Sequence, residues 1–513
     1  METTKKYSRL FFSSLMILAT AFISACGGDD NGDDPDPVFE APVLSISDAS
    51  AVLKPGEDFE VSFTLDAEAG NQTLIVNRGG GLLEQVALEA EATSEDYTIT
   101  VSNELTEGDG EVYEFILVDV QDQQSDPVSF TVDVAVYDLT TVNGTELYAV
   151  AAPEDGIIGD GVAVKFSEGR SYYIDNSLQF DDGSSLTIEP GVTVYFDTTA
   201  SIGVIALPGS TVNVEGSATS PIVMTSANSL NDTAEPGDWD TFELEGTTNA
   251  VFRYVRTEYA VEGLRIDEVD NTNTVEYVQA FNADEEGFYI TDGDIHLSYL
   301  VNTKSRDNGF RVGDGFEGTF QFIINQGFDH DETDFILRET ATTTAANMTL
   351  LGPGQNADEG GDIFEMDTEV NLFKIYNTVL AESPDEDLKL QPITVTDLDG
   401  EAVFAYSFAL NNADPIKDDA IDFFGTFDAQ GAIVTNPFFN NALTGGADPD
   451  DFTFDVIAGI EVDDFVPDAE QTSAFDPADL GGSFVSAPFV GAVQDAANDW
   501  TVGWVKNVDG SIR

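Results

Sequence analysis

The chain has 513 residues, of which 96 are acidic and only 19 are basic, so its formal net charge is −77 at pH 7. This charge repels nucleic acid and anionic lipid, and the composition therefore argues against nucleic acid as a partner. With two histidines and one cysteine, the chain has almost no material for a zinc site, a disulfide or a Ser-His-Asp triad.

The first 26 residues read METTKKYSRLFFSSLMILATAFISAC, with three basic residues before an apolar run over 10–23. This layout is typical of a secretory signal, and the run is too short for a spanning helix of about 20 apolar residues. Its end, ISAC, resembles the lipobox of a bacterial lipoprotein signal. The resemblance implies cleavage after residue 25 and acylation of Cys26, which would attach the chain to outer-membrane lipid.

An acidic segment, GGDDNGDDPDP, follows within residues 26–40. It resembles the export tag of Bacteroidota-type surface lipoproteins, which implies a location on the outer face of the outer membrane. The same composition is typical of a solvated, flexible tether, and we expect a tether in either case.

Residues 41–136 alternate apolar and polar residues in short runs such as KPGEDFEVSFTLDA and DYTITVSNEL. Period-two strands at this spacing favour an antiparallel β-sandwich. The stretch resembles the immunoglobulin-like modules of surface lipoproteins, without the cysteines and tryptophan of antibody domains. We expect a stalk.

From residue 137 to about 395, short strands separated by sharp turns predict a right-handed parallel β-helix, as in SLTIEPGVTVYF. Four segments align as coils and place Gly263, Gly287, Gly309 and Asp334 in one row, at spacings of 24, 22 and 25 residues. Because alternate residues of a strand share a face, the first and third residues after each member of this row are expected to point inward. We expect the three glycines to be corner residues with positive φ. Two inward rows are predicted: Leu264, Phe288, Phe310 and Phe335, and Ile266, Ile290, Val312 and Leu337.

LTIEPGVTVYF, GSATSPIVMTS, DEEGFYITDGD and APFVGAVQDAANDWTVGWVKN together resemble a family of secreted or lipid-anchored β-helix proteins from marine and gut bacteria. The resemblance implies the fold and the location, and it supplies no catalytic residues. Residues 396–513 are expected to form terminal coils and a C-terminal cap. Within it, Trp500 and Trp504 either plug the cap or form an exposed platform for sugar. The predicted fold class is all-β, a sandwich followed by the capped β-helix.

Three residues form a predicted outward row on the coils, Arg265, Tyr289 and Arg311. Two guanidinium groups beside a phenol suit the binding of an acidic or sulfated glycan. The alternative is that the arginines neutralise the neighbouring carboxylates of Glu262, Glu286 and Asp307.

Glu262 and Glu286 occupy equivalent positions one coil apart, hence about 4.8 Å apart along the stack. This is close to the carboxylate separation of a retaining glycosidase, about 5–5.5 Å. A solvated acidic face is the alternative. Asp284, Glu285, Arg306 and Asp307 approach the composition of a polysaccharide lyase site, although no lyase motif accompanies them.

In the segment FDHDETD, Asp329, Asp331 and Asp334 offer hard oxygen ligands suited to calcium. The segment does not match an EF-hand loop, and a charged corner loop is the alternative.

We therefore predict a surface lipoprotein that acts as a non-catalytic binding or adhesion module, with extracellular polysaccharide as its ligand along the face of Arg265. No cofactor is required, and calcium is the only ion that the pattern suggests. A polysaccharide lyase or glycoside hydrolase using Glu262 and Glu286 is one alternative. A structural accessory of an outer-membrane protein is another.

Acylation of Cys26 can be tested by feeding expressing cells an alkyne-bearing fatty acid. The wild-type chain should carry the label and sediment with membranes, and Cys26→Ser should lose both properties. Because Cys26 is the only cysteine, no other thiol can accept the acyl chain. Labelled Cys26→Ser protein would contradict the prediction.

Overall fold

A computed structural model of the protein describes residues 38–327, 334–354, 357, 361–366, 372–383, 388–390, 403–410, 444–445, 452–453, 457 and 459–513. The chain divides into two compact units. The first comprises the residues up to Ser47 together with Val61–Tyr97 and Tyr113–Ser129. The second comprises Asp48–Glu60, Thr98–Val112 and Phe130–Arg513. No helix in the described part of the chain is both long enough and apolar enough to cross a membrane.

The N-terminal strands form a three-stranded sheet in the order β1-β3-β6 and a five-stranded sheet in the order β2-β8-β7-β4-β5. Strand β3 buries every second side chain, as expected for a sheet with one face on a core. These strands are consistent with the expected sandwich. Their bounds are β1 (Val43–Ile46), β2 (Ser50–Leu53), β3 (Asp58–Asp66), β4 (Asn71–Arg78), β5 (Gly81–Ala87), β6 (Ser94–Thr100), β7 (Gly110–Asp119) and β8 (Val128–Val134).

From residue 138 onward the chain winds into a parallel β-helix with three strand faces, which confirms the predicted all-β fold class. It begins with the hairpin β9 (Asp138–Val142) and β10 (Thr145–Ala149). The third face contains ten parallel strands: β11 (Ile157–Ile158), β14 (Leu178–Phe180), β17 (Val204–Ala206), β20 (Phe242–Glu245), β22 (Leu264–Asp267), β24 (Phe288–Thr291), β26 (Phe310–Gly313), β28 (Phe335–Leu337), β30 (Phe364–Met366) and β33 (Leu388–Leu390).

At the two ends of the solenoid, the first and second faces are formed by separate strands. In the middle, each coil has one continuous bent strand that contributes to both faces. The first face contains β12 (Ala163–Phe166), β15 (Ser185–Ile188), β18 (Thr211–Glu215), β31 (Leu372–Tyr376) and β34 (Val403–Ala405). The second face contains β10, β13 (Ser171–Ile174), β16 (Thr193–Phe196), β19 (Ile222–Ser226), β32 (Val379–Ala381) and β35 (Phe408–Leu410). The bent strands are β21 (Val251–Glu258), β23 (Thr274–Phe281), β25 (His296–Thr303), β27 (Thr319–Gln326) and β29 (Thr342–Leu351). The remaining elements within the described residues are β36 (Thr444–Gly445), β37 (Phe452–Thr453) and two short 3-10 helices, Ala227–Asn231 and Pro477–Leu480.

The two predicted inward rows of the third face are confirmed by the strand register. Leu264 pairs with Phe288, Phe288 with Phe310 and Phe310 with Phe335, and all four are buried. The rings of Phe288 and Phe310 are stacked with centroids 4.7 Å apart. Stacked offset rings contribute about 0.5–1.5 kcal/mol per pair beyond burial, so this column stabilises the stacking of successive coils.

The expectation that the row of Gly263, Gly287 and Gly309 has positive φ is wrong. None of the three lies in the left-handed region, and each is instead required by lack of space. A Cβ on Gly263 would lie 2.4 Å from the carbonyl oxygen of Gly287, and one on Gly287 would lie 2.1 Å from Oδ1 of Asn302. The next coil therefore passes too close for any side chain.

The bend between the first and second faces has positive φ in all five bent strands; β29 has Asn347 there, and the other four have aromatic residues. These are Tyr254 (φ 50°), Tyr277 (φ 56°), Tyr299 (φ 57°) and Phe322 (φ 60°). A left-handed residue with a Cβ costs roughly 1–2 kcal/mol. Stacking offsets this cost, since the successive ring centroids are 4.4, 4.3 and 4.7 Å apart. We call these four residues the corner column.

The C-terminal segment, 459–513, runs along the flank of the β-helix over the corner column. Trp504 is fully buried, with its ring centroid 5.8 Å from Tyr254, and Trp500 lies 5.1 Å from Tyr299. Both indoles thus lie on the flank rather than at the end of the solenoid, and the burial of Trp504 rules out its use as an exposed platform.

Side chains from the coils hold the backbone of this segment. Gln321 accepts a hydrogen bond from the amide of Val485 at 2.9 Å and donates one to its carbonyl at 3.0 Å. Gln279 makes the same pair of contacts with Lys506, both at 2.8 Å. The side-chain amides of Gln279 and Gln321 therefore satisfy backbone N–H and C=O groups of the segment, as a neighbouring strand would.

Trp504→Ala should lower the free energy of unfolding by about 3–5 kcal/mol, because it leaves a cavity against the corner column. Val502, which is 56% exposed, provides the control, and Val502→Ala should change stability by no more than about 0.5 kcal/mol. Urea unfolding followed by far-UV circular dichroism measures both. Equal midpoints for the two variants would rule out a stabilising contact at Trp504.

Candidate functional site

The outward row predicted on the third face exists as an unbroken column. The register pairs Glu243 with Arg265, Arg265 with Tyr289 and Tyr289 with Arg311. Their neighbours in each strand point inward and are buried, so these side chains project from the sheet. The coils thus place Arg265, Tyr289 and Arg311, the three residues predicted to bind a ligand, side by side on one face.

Tyr289 lies between the two arginines. The guanidinium carbon of Arg265 is 4.4 Å from the centre of the tyrosine ring, and that of Arg311 is 4.7 Å from it. Both distances suit cation–π contacts. Since the two faces of the ring are covered, a sugar ring cannot stack on Tyr289, and the column offers only its edges and polar atoms to a ligand.

Each arginine of the column is paired with carboxylates. Arg265 Nε lies 3.1 Å from Glu243 Oε1, and its Nη1 lies 3.3 Å from Glu262 Oε1. Arg311 Nη1 lies 3.0 Å from Glu286 Oε1. The side chains of Arg265 and Arg311 are still 30% and 27% exposed. The arginines therefore pair with Glu262 and Glu286, two of the three carboxylates that the alternative interpretation named, while keeping part of their surface toward solvent.

Glu262, Glu285 and Glu286 bring carboxylate oxygens within 4.8 Å of one another. Burial raises the pKa of Glu262 to about 7, and repulsion by Glu286, Glu243 and Glu285 adds to the effect against the opposing charge of Arg265. Oε2 of Glu262 is buried without a hydrogen-bond partner. Glu262 consequently exchanges a proton near neutral pH.

The pair of Glu262 and Glu286 has the residue types of an acid–base dyad, one carboxyl able to carry a proton beside a second carboxyl group. Access to it is narrow, because the side chain of Glu262 is 13% exposed and that of Glu286 only 4% exposed. A glycosidic bond reaches these groups only if neighbouring side chains move.

An open polar depression of about 560 Å³ adjoins the column, and sequence reasoning did not identify it. We call it the acidic depression. It is lined by Arg265, Asp267, Thr291, Asp292, Asp314, Glu339 and Thr340. Its signal in the sequence is an acidic residue at or just after the end of successive third-face strands, in RIDE, ITDG, VGDG and LRET. The last acidic residue of each of these motifs has a positive φ, between 45° and 53°.

Like charges dominate the acidic depression. Burial, followed by repulsion from Asp267 and Asp314, raises the pKa of Asp292. The pKa of Glu339 is also raised, first by its hydrogen bond with the side chain of Asp314. Thr291 Oγ1 donates to Asp267 at 2.7 Å. The depression thus presents four carboxyl groups, one guanidinium group and two hydroxyls.

The other predicted site residues are placed as follows. Arg306 pairs with Asp284 at 2.9 Å on the surface. Asp334 is buried, which raises the pKa of its carboxyl. Cys26, Asp329 and Asp331 lie outside the described residues.

Residues 156–251 match the family described as "Pectate-lyase like beta helix domain". This stretch runs from β11 to the start of β21. The solenoid therefore has a pectate-lyase-like β-helix fold. No curated protein matches the chain.

Three solved structures show limited similarity. The fibronectin(III)-like modules of Clostridium thermocellum CbhA are 19% identical, over 19% of this chain and 48% of theirs, with a TM-score of 0.16. The family 28 exopolygalacturonase of Yersinia enterocolitica is 9% identical, over 74% of this chain and 97% of its own, with a TM-score of 0.16. Pectate lyase PelI of Erwinia chrysanthemi, in complex with tetragalacturonic acid, is 10% identical, over 66% and 89%, with a TM-score of 0.12. This chain spans under half the length of the first structure, and at these scores none of the three bears on function.

The raised pKa of Glu262 predicts a pH-dependent stability. Between the ordinary value of 4.5 and about 7, the folded protein keeps a proton that the unfolded chain has released. The contribution of Glu262 to the free energy of unfolding therefore falls as pH rises through this window. Glu262→Gln removes that loss, so the melting temperature of the variant relative to wild type should be higher at pH 8 than at pH 5.

Asp270→Asn provides the control, because hydrogen bonds from Thr272 lower the pKa of Asp270 below its usual 3.8. Its titration lies below both measured pH values, so its melting-temperature difference should be the same at pH 5 and pH 8. A pH-independent difference for Glu262→Gln would show that Glu262 titrates normally.

Proposed function

We propose that the protein is a lipid-anchored binding module of the outer cell surface that recognises extracellular glycan on the third face of its β-helix. The observation that carries the proposal is the acidic depression beside Arg265, an open site lined by polar side chains from four successive coils. Ligand sites usually combine concavity with convergent polar groups.

The chemistry of the depression suits hydroxyl groups. Asp267, Asp292, Asp314 and Glu339 supply acceptors, while the guanidinium group of Arg265 supplies donors. Because the coils are stacked at about 4.8 Å, the acceptors recur along the stack at a fixed interval and suit an elongated chain of sugars. The partly exposed guanidinium groups of Arg265 and Arg311 extend the donor set along the column.

Calcium enters the proposal through the same carboxylates. Four carboxyl groups around one depression would repel an acidic glycan, and a divalent cation bound among them would reverse that repulsion. Neutral glycans need no such ion. We therefore expect chelation to abolish binding of uronate-containing or sulfated glycans and to leave binding of uncharged glycans unchanged.

The location belongs to the proposal as well. Acylated Cys26 would hold the chain in outer-membrane lipid, and the acidic tether would place the module outside the cell. A net charge of −77 would keep the module away from anionic lipid surfaces and from other copies of itself.

A glycoside hydrolase or lyase is the second candidate, favoured by one observation, the pKa of about 7 at Glu262 beside Glu286. A carboxyl group with that pKa is poised to donate a proton at neutral pH. This activity would generate new reducing ends or unsaturated products, and Glu286→Gln should abolish them.

A glycan array probed with the mature chain carrying Cys26→Ser, with and without EDTA, tests the proposal. Arg265→Ala should weaken binding at least tenfold, since a lost hydrogen bond to a charged group costs about 1.5–3 kcal/mol. Arg253→Ala is the matched control, because Arg253 is 34% exposed and also pairs with two glutamates, Glu215 and Glu276.

Assay of the same wells for reducing ends and unsaturated products separates the two candidates. Binding without product supports recognition, and product formation moves the assignment to the enzyme. If no glycan binds and none is cleaved, the third-face proposal fails, and an outer-membrane protein partner becomes the explanation to pursue.

A further inference from the structure

A second cleft, of about 400 Å³, opens on the first face of the β-helix. One wall is formed by outward side chains of successive coils, and the other by residues 480–484 of the C-terminal segment. Both walls belong to the second compact unit. None of its lining residues is shared with the acidic depression.

The coil wall is a column of polar residues. The register pairs His296 with Thr319, Thr319 with Thr344 and Thr344 with Lys374. Successive members are therefore about 4.8 Å apart along the stack. His296 Nδ1 lies 2.7 Å from Thr319 Oγ1. The column presents two hydroxyls and an ammonium group to the cleft, and the imidazole of His296 lies just beyond it, in contact with Thr319.

The imidazole of His296 is uncharged at neutral pH, because burial lowers its pKa to about 4. It can therefore both donate and accept a hydrogen bond. Asp294 and Glu317 stand exposed at the rim of the same cleft, directly before this part of the column. The cleft thus combines acceptors on one side with the single positive charge of Lys374 at its far end.

The opposite wall is held in place. Gln321 pins the backbone of Val485 through two hydrogen bonds, and Asp476 accepts hydrogen bonds from the amide of Ala487 at 3.2 Å and the hydroxyl of Ser486 at 2.7 Å. These contacts present the half-buried ring of Phe484 to the cleft, with its centroid 5.4 Å from that of His296.

We propose that this cleft is a second saccharide-binding site, which takes an uncharged oligosaccharide between residues 480–484 and the coil residues Thr319, Thr344 and Lys374. The apolar face of a sugar ring packs against Phe484, and its hydroxyls bond to the column and to the rim carboxylates. A polyanion is disfavoured, since two carboxylates face one ammonium group in a chain of net charge −77. The inference deepens the proposed function, on which its ligand class rests, and uses different residues.

The chain offers a specific probe, because it contains only two histidines. The mature chain with Cys26→Ser, labelled at the imidazole groups, is titrated with a panel of neutral hexasaccharides, and the imidazole signals are followed by NMR. The His296 signal is assigned by its loss in His296→Gln. At least one hexasaccharide should shift this signal in a saturable manner.

Phe484→Ala should weaken that titration at least tenfold, and Thr319→Val, which removes a hydroxyl at nearly constant volume, should weaken it measurably. Val485→Ala, at an exposed neighbouring position, is the matched control and should leave it unchanged. Absence of any shift at millimolar hexasaccharide, or an unchanged titration in Phe484→Ala, overturns the inference.

Arg265→Ala distinguishes this site from the third-face site. If it abolishes array binding while the His296 titration persists, both sites exist. If array binding depends on Arg265 and the His296 signal never moves, the third-face proposal stands and the second site fails. If the His296 titration is present and array binding ignores Arg265, only the second site survives.

Discussion

The parallel hydrogen bonding between coils is the constraint on which the rest of the structure depends. It holds equivalent residues about 4.8 Å apart, so that every position in the repeat becomes a column. Inside, the columns are apolar and aromatic, as with Phe288 and Phe310. Outside, the same spacing imposes neighbours on charged residues. The Arg265, Tyr289 and Arg311 column and the contact between Glu262 and Glu286 are both consequences of this register.

In so acidic a chain the columns force carboxylates together. Where an arginine is available, the charges pair, as Arg311 does with Glu286. Where it is not sufficient, the pKa values of the carboxyl groups are raised, first by burial and then by like charges at Glu262 and Asp292, and first by the hydrogen bond with Asp314 at Glu339. Both candidate functions arise from this crowding, because carboxylates at regular spacing can accept hydrogen bonds from sugars, bind a cation or donate a proton.

The C-terminal segment shapes the other flank. Glutamine side chains from the coils hydrogen-bond to its backbone at Val485 and Lys506. The segment covers the corner column, whose aromatic residues would otherwise expose a strip of apolar surface. By crossing the first face near Phe484 it also turns an exposed polar column into a cleft. One structural element thus stabilises the solenoid and creates a concave site.

The sequence by itself determined the coil register, because buried residues recur at coil length and alternate along each strand. It therefore predicted the inward rows, the column of Arg265, Tyr289 and Arg311, and the alignment of Glu262 with Glu286. It misassigned Gly263, Gly287 and Gly309, since close approach of the next coil is not visible in a repeat. Only the tertiary structure decided the position of the C-terminal segment, which reaches back 248 residues from Lys506 to Glu258. Such contacts depend on packing between distant parts of the chain, and no local pattern encodes them.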